Sequence, residues 1–232
     1  ILDNQGALLR VLGPTAEIPD GTINYVYPNS EGGLWAALFN NGVAYSDPVS
    51  PLTVYDERLG LSGTIYSIEP HEGKLYVATG AGLFVLQDVP LSLANREQER
   101  RTSFHRVDLG GVPIARDLAS TEDGLFVATD DGTYLLSEGG SEKLLDKRTW
   151  AITHSEMYPE HVYAGVNDGL VLLEKGEIAG WEPNTILDSA GEDVRAIYES
   201  EDGVVWLSTL HEGIWQIVLS NAGANAEVAR KL

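Results

Sequence analysis

Five residues of this chain are suited to recognising a small molecule: Asn24, Tyr66, Arg116, Trp150 and Arg195. Each stands just inside the start of a short apolar segment, and that segment recurs five times. Arginine presents a planar fork that matches carboxylate or phosphate, while tyrosine and tryptophan offer ring faces to a sugar or a flat group. The chain carries 35 acidic and 15 basic side chains, so two arginines brought together would form a local positive spot beside two rings. The same residues have a plainer reading, in which Arg116 and Arg195 pair with neighbouring acids and Trp150 packs between the repeated units. Both stay open from sequence.

Other chemistry finds less support. Five histidines, His71, His105, His154, His161 and His211, are scattered, and only His154 and His161 share a turn, with Glu156 and Glu160 nearby. Without a His-Glu-x-x-His helix they read as solvated turn residues, and no metal is expected. Asp130-Asp131 and Asn167-Asp168 could offer oxygens to calcium, but Asn and Asp at such tips serve hairpin geometry. There is no cysteine and no Gly-x-Ser-x-Gly element, so no catalytic nucleophile and no cofactor is expected. Glycoside hydrolysis needs two carboxyl groups about 5–10 Å apart. Among the equivalent positions Tyr25, Ser67, Asp117, Ala151 and Ala196, one is acidic, and Glu69 lies one step along.

The elements that must position these residues are repeats. Segments 23–45, 65–86, 115–136, 149–173 and 194–218 align. Each begins with a strand whose fourth place is aliphatic: Val26, Ile68, Leu118, Ile152 and Ile197. A polar turn leads to a second strand with one aromatic: Trp35, Tyr76, Phe126, Tyr163 and Trp206. A hairpin ending in Gly42, Gly82, Gly132, Gly169 or Gly213 opens a third strand. The aromatics are 41, 50, 37 and 43 residues apart, the period of four-stranded propeller blades. Trp35, Trp206 and Trp215 are expected to fill the wedges between blades. Outer strands are expected at 52–55, 102–107, 142–145, 177–181 and 226–232, and the only helix candidate is 91–101.

The fold expected is therefore all-β: a single β-propeller domain over 1–232 built from four-stranded antiparallel blades. Five blade repeats fall at 22–58, 63–108, 113–146, 149–183 and 193–232. A spare strand, Ala7 to Leu12, is expected to pair with the last blade and close the ring, which removes an exposed edge. The alternative is that the chain is a piece of a larger ring. The five residues Asn24, Tyr66, Arg116, Trp150 and Arg195 would then encircle one mouth of the central channel.

A net charge of −20 argues against nucleic acid and anionic membrane as partners, because their phosphates would be repelled. No apolar run approaches the roughly 20 residues of a membrane-spanning helix. The first residues, Ile1 to Gly6, do not read as a signal peptide.

The stretch Val194 to Ile214, with Glu201-Asp202-Gly203-Val204-Val205-Trp206-Leu207, resembles the two-component regulator propeller repeat, and Ile23 to Val43 repeats its frame through Glu31-Gly32-Gly33-Leu34-Trp35. The third and fourth copies are equally similar to Asp-box or sortilin-type propeller repeats. The first resemblance implies a periplasmic or extracellular sensor propeller of a bacterial signalling protein. The resulting expectation is a non-enzymatic domain that binds a small anionic or sugar-like ligand, a glycan included, at the channel mouth. A protein-docking propeller, with 89–101 as one docking loop, is the first alternative, and a glycosidase-like propeller the second.

Overall fold

A computed structural model describes residues 23–28, 30, 33–38, 42–46, 55–90, 100–111, 114–176, 180–188, 192–220 and 225–231. The described residues form nineteen strands and a single 3-10 turn at Glu57–Leu59. They divide into two compact units, one of residues 1–61 and 88–103, the other of 62–87 and 104–232.

The first unit holds an antiparallel sheet of β1 (Ile23–Pro28), β2 (Leu34–Leu38) and β3 (Gly42–Ser46) in that order. The second is built on four-stranded sheets, each laid out in chain order from its innermost strand, the first of them contributing residues 65–87 and 104–107. They are β4 (Ile65–His71), β5 (Lys74–Thr79), β6 (Gly82–Pro90) and β7 (Arg100–Val107); then β8 (Ala115–Thr121), β9 (Gly124–Thr129), β10 (Gly132–Ser137) and β11 (Gly140–Leu145). The third sheet is β12 (Thr149–His154), β13 (His161–Val166), β14 (Gly169–Gly176) and β15 (Gly180–Asp188). The fourth is β16 (Val194–Glu199), β17 (Val205–Thr209), β18 (Ile214–Ser220) and β19 (Asn225–Lys231).

Hairpins are closed by the residues the repeat supplies. Thr79, Thr129 and Thr209 each end a second strand and donate their hydroxyl to the carbonyl of Gly82, Gly132 or Gly213, at 3.1, 2.7 and 3.0 Å. The same oxygens accept the N–H of Ala81, Asp131 and Glu212. Each turn thus satisfies its own backbone groups. At Glu72–Gly73 both residues have positive φ, 48° and 73°, which a two-residue hairpin requires; glycine at the second place removes half of that cost.

The sheets of the second unit stack through their faces, so their middle strands are apolar on both sides. On β9, Leu125 and Val127 join a core with Tyr76, Leu83 and Val85 of the preceding sheet, while Phe126 and Ala128 join Ile152, Val162 and Val171 of the next. On β13, Val162 and Ala164 face backward, and Tyr163 faces forward to Val194, Leu207 and Trp215. The innermost strands β4, β8, β12 and β16 meet in succession.

Three expectations change. Trp215 is buried, but Trp206 is half-buried and Trp35 is 43% exposed. Second-strand aromatics face the following sheet; Trp206 belongs to the last sheet of its unit, and Trp35 lies in a unit with one described sheet. The fourth outer strand is β15, starting at Gly180 rather than 177, because Gly176 pairs with Gly180 across the hairpin. It runs through Pro183, which an outermost strand tolerates. Arg100 and Arg101 lie in β7 and Val89 and Pro90 in β6, so strand replaces loop at both ends of 89–101. The segment 7–12 lies outside the described residues, and the last sheet's outer place is taken by β19.

Candidate functional site

All five candidate residues share one backbone feature. In every innermost strand the pairing with its neighbour slips by one residue: between Ile23 and Tyr25, Ile65 and Ser67, Ala115 and Asp117, Thr149 and Ala151, and Val194 and Ala196. The residues passed over are Asn24, Tyr66, Arg116, Trp150 and Arg195. A β-bulge of this kind bends the strand and re-aims one side chain. Asn24 occupies it on β1, in the first unit. The other four occupy it on β4, β8, β12 and β16 of the second unit, and these four come together.

They form a ladder. The Arg116 guanidinium carbon lies 5.5 Å from the Tyr66 ring centre and 4.1 Å from that of Trp150, and Arg195 lies 3.4 Å from Trp150. Two guanidinium groups cannot both stand so near one ring centre on the same face, so Trp150 is sandwiched. Cation–π pairs contribute about 0.5–2 kcal/mol each, more when water is excluded. A third guanidinium, Arg148, stands 5.5 Å from the same ring. With both faces of Trp150 covered, the stacking surface still open to a ligand is Tyr66, which is 47% exposed.

The arginines are also paired with acids. Arg116 grips Asp130 with two hydrogen bonds, Nε to Oδ1 at 2.5 Å and Nη2 to Oδ2 at 3.2 Å. Arg195 Nη2 donates to Asp193 Oδ2 at 2.6 Å. Arg148 Nε lies 3.8 Å from Asp130 Oδ1, beyond hydrogen-bond reach. The pairing and packing that formed the plainer reading are therefore both present. Trp150 Nε1 and Arg195 Nε are buried without a hydrogen-bond partner, unlike most buried polar groups.

Tyr66, Arg116, Trp150 and Arg195 line a cavity of about 490 Å³ together with Asp117 and Leu210. Asp117 is the acidic member of the next inner row. Its Oδ1 accepts the N–H of Leu118 at 2.9 Å and its Oδ2 that of Ile152 on β12 at 3.0 Å, so it ties two sheets together. Burial raises its pKa above the usual carboxylate value, against the lowering effect of those N–H groups and of the Ser67 hydroxyl. Burial likewise raises Glu69, with a smaller push from the Asp117 charge. The two carboxyl groups considered for glycoside hydrolysis thus sense one another, and one of them is committed to holding strands.

Asp193, Arg148 and Leu210 were not singled out from sequence, and Asp130 was weighed there only as a calcium oxygen or a turn residue. Asp130 lies in Asp130-Asp131-Gly132, which reads as a hairpin turn and is one; its second role appears only when the β9–β10 turn folds beside the bulge of β8. Two of the histidines differ from expectation. His71 is buried and its Nδ1 is 2.9 Å from Ser120 Oγ. His161 is 2% exposed, packed on Tyr158 with Glu174 3.7 Å away. Both end up inside because their strand ends are covered by the adjoining sheet or turn. Among the described residues no three metal-ligating side chains come together, and no helix is long and apolar enough to cross a membrane.

No family model matches the sequence, and no curated protein matches it. Solved structures do. The extracellular domain of a hybrid two-component system from B. thetaiotaomicron is similar over 95% of this chain and 29% of its own, with 18% identity and a TM-score of 0.53. A second such domain from the same organism matches over 84% of this chain and 27% of its own, at 18% identity and a TM-score of 0.50. The β-propeller domain of Cps50 (Swd1) from Myceliophteria thermophila matches over 90% and 73%, at 11% identity and a TM-score of 0.52. The chain thus spans less than a third of the two-component domains. At these identities the likeness is one of fold: antiparallel blades of a β-propeller, roughly five in number.

Proposed function

We propose that this chain is a non-enzymatic, ligand-sensing propeller of a bacterial signalling or cell-surface protein, placed in the periplasm or outside the cell. Its ligand is a small molecule bearing an oxyanion, a carboxylate or an anionic sugar, bound at the bulged ends of β4, β8, β12 and β16. The observation that carries this reading is the convergence of four bulge residues, two of them arginines, on one cavity. The cavity sits in a chain of net charge −20. The fold shared with two extracellular sensor domains supports the cellular setting.

The test is thermal stabilisation by a panel of sulfate, phosphate, simple carboxylates and uronic acids. At least one should raise the melting temperature of the native chain and leave that of Arg116→Gln/Arg195→Gln unmoved. Equal shifts in both proteins, or none in either, would remove this site.

A protein-docking role is the second reading. It is favoured by Tyr198, Ile214 and Val218, exposed apolar side chains on β16 and β18 of the last sheet. Chemical cross-linking that spares Arg195 but captures a partner through this sheet would favour it.

A further inference from the structure

Asp117 stands in the wall of the same cavity as Arg116 and Arg195. Its carboxylate cannot swing away from an entering anion, because its two oxygens are held by the N–H groups of Leu118 on its own strand and Ile152 on the next sheet. An anion at the arginines therefore meets a fixed negative charge. A protonated carboxyl would remove that charge and add an O–H donor to the cavity wall.

The groups around Asp117 do not offer another way out. From β4 come the Ser67 hydroxyl and Glu69, a second carboxyl, with His71 beyond it. Trp150, from β12, lines the same cavity. From β8 and β16 come Arg116 and Arg195, already engaged by Asp130 and Asp193. On the hairpin after β17, His211 lies 3.4 Å from Glu192 beside the cavity residue Leu210. The guanidinium groups of Arg116, Arg148 and Arg195 stand against the carboxylates of Asp117, Asp130 and Asp193, with Glu69 and Glu192 further acids nearby. Neutralising Asp117 removes one negative charge from the cavity wall itself.

We propose that the mouth binds its anion together with one proton, taken from solvent onto Asp117, so that affinity rises as the medium becomes more acidic. The inference rests on the oxyanion reading above. Burial already biases Asp117 toward its protonated form, and the charge of the ligand biases it further. Proton uptake then peaks at pH values between the free and the ligand-bound pKa of this carboxyl.

Calorimetric titration with sulfate, which stays a dianion through the mildly acidic range, tests this on the full chain. Repeating the titration in buffers of different ionisation enthalpy counts the protons taken up. The wild-type chain is expected to take up as much as one proton per sulfate and to lose affinity by up to about tenfold per pH unit as pH rises. Asp117→Asn should bind sulfate with no uptake and a flat profile, whereas Glu69→Gln and His211→Gln should keep the wild-type behaviour. Binding by the wild-type chain without proton uptake overturns the inference, and that measurement needs no variant to fold. Uptake that survives in Asp117→Asn, or vanishes in Glu69→Gln or His211→Gln, overturns it as well. Absence of sulfate binding at every pH, with phosphate and carboxylates equally inert, defeats the oxyanion reading itself.

Discussion

The two ends of the innermost strands are fastened in different ways. At the turn end, neighbouring sheets are joined by closely matched donors and acceptors. Glu199 on β16 accepts the Ser155 hydroxyl at 2.9 Å, the Glu156 N–H at 3.0 Å and the Tyr163 hydroxyl at 3.3 Å, while His71 meets Ser120. At the bulged end there are fewer such bonds, Asp117 with the Ile152 N–H and Thr133 with Thr149, and the sheets also meet through rings stacked against guanidinium groups, with a cavity between them and two buried N–H groups left over. Directional bonds fix one arrangement, whereas stacked planar groups tolerate sliding and exchange of partners. The difference teaches where this scaffold is rigid and where it can accept something new.

Substitutions at either end can break or sharpen that contrast. The largest effect is expected at Gly165, which pairs with Ala151 beside the β12 bulge. A Cβ there would lie 2.8 Å from both the carbonyl oxygen and Cγ1 of Val194, pushing away the strand that carries Arg195. Gly165→Ala should cost about 3 kcal/mol in urea unfolding and weaken anion binding together, because the backbone must move. Glu199→Ala removes the acceptor shared by three donors at the turn end. A loss of about 2 kcal/mol with ligand stabilisation retained is expected; loss of binding as well would show that the two ends are not separable.

Trp150→Leu probes the ladder itself. Its cost should be near 1 kcal/mol, since the lost cation–π contacts are partly offset by removing a buried, unpartnered N–H. A penalty as large as that of Glu199→Ala would mean that the bulged end is as structural as the other. The smallest effect is a pH slope. The raised pKa of Asp117 means that the folded chain holds a proton where the unfolded chain has lost it. The stability this confers is full below the ordinary Asp value and declines as pH rises through the raised one. Without ligand, the wild-type chain should lose stability relative to Asp117→Asn over that window, read from paired melting curves.

Much of the architecture is written in residue types. Glycines at hairpin ends and aromatics on second strands mark the repeat because φ > 0 and a wedge-shaped gap each admit few side chains. The candidate row was found by counting from those marks, but its cause was not visible. A bulge is a property of how two strands pair, and no residue type at Asn24, Tyr66, Arg116, Trp150 or Arg195 announces it. Arg148 was missed because it precedes the repeat segment, and Asp130 because a turn already accounts for an Asp there. The sandwich on Trp150 depends on neighbours 34 and 45 residues away in sequence (150−116 and 195−150), a distance that local patterns do not span.

The sheet β12–β15 has a further consequence. Every residue of β13, and β14 from Gly169 to Leu173, is buried, with packed neighbours on both faces. Amide hydrogens on these strands should therefore exchange with solvent only through the rarest openings of the unit. Trp150 is anchored on the same sheet, so the side chains around the cavity can rearrange above the part of the protein that opens last. Deuterium uptake at the mouth and at β13 would then differ by orders of magnitude, although the two lie on adjacent strands.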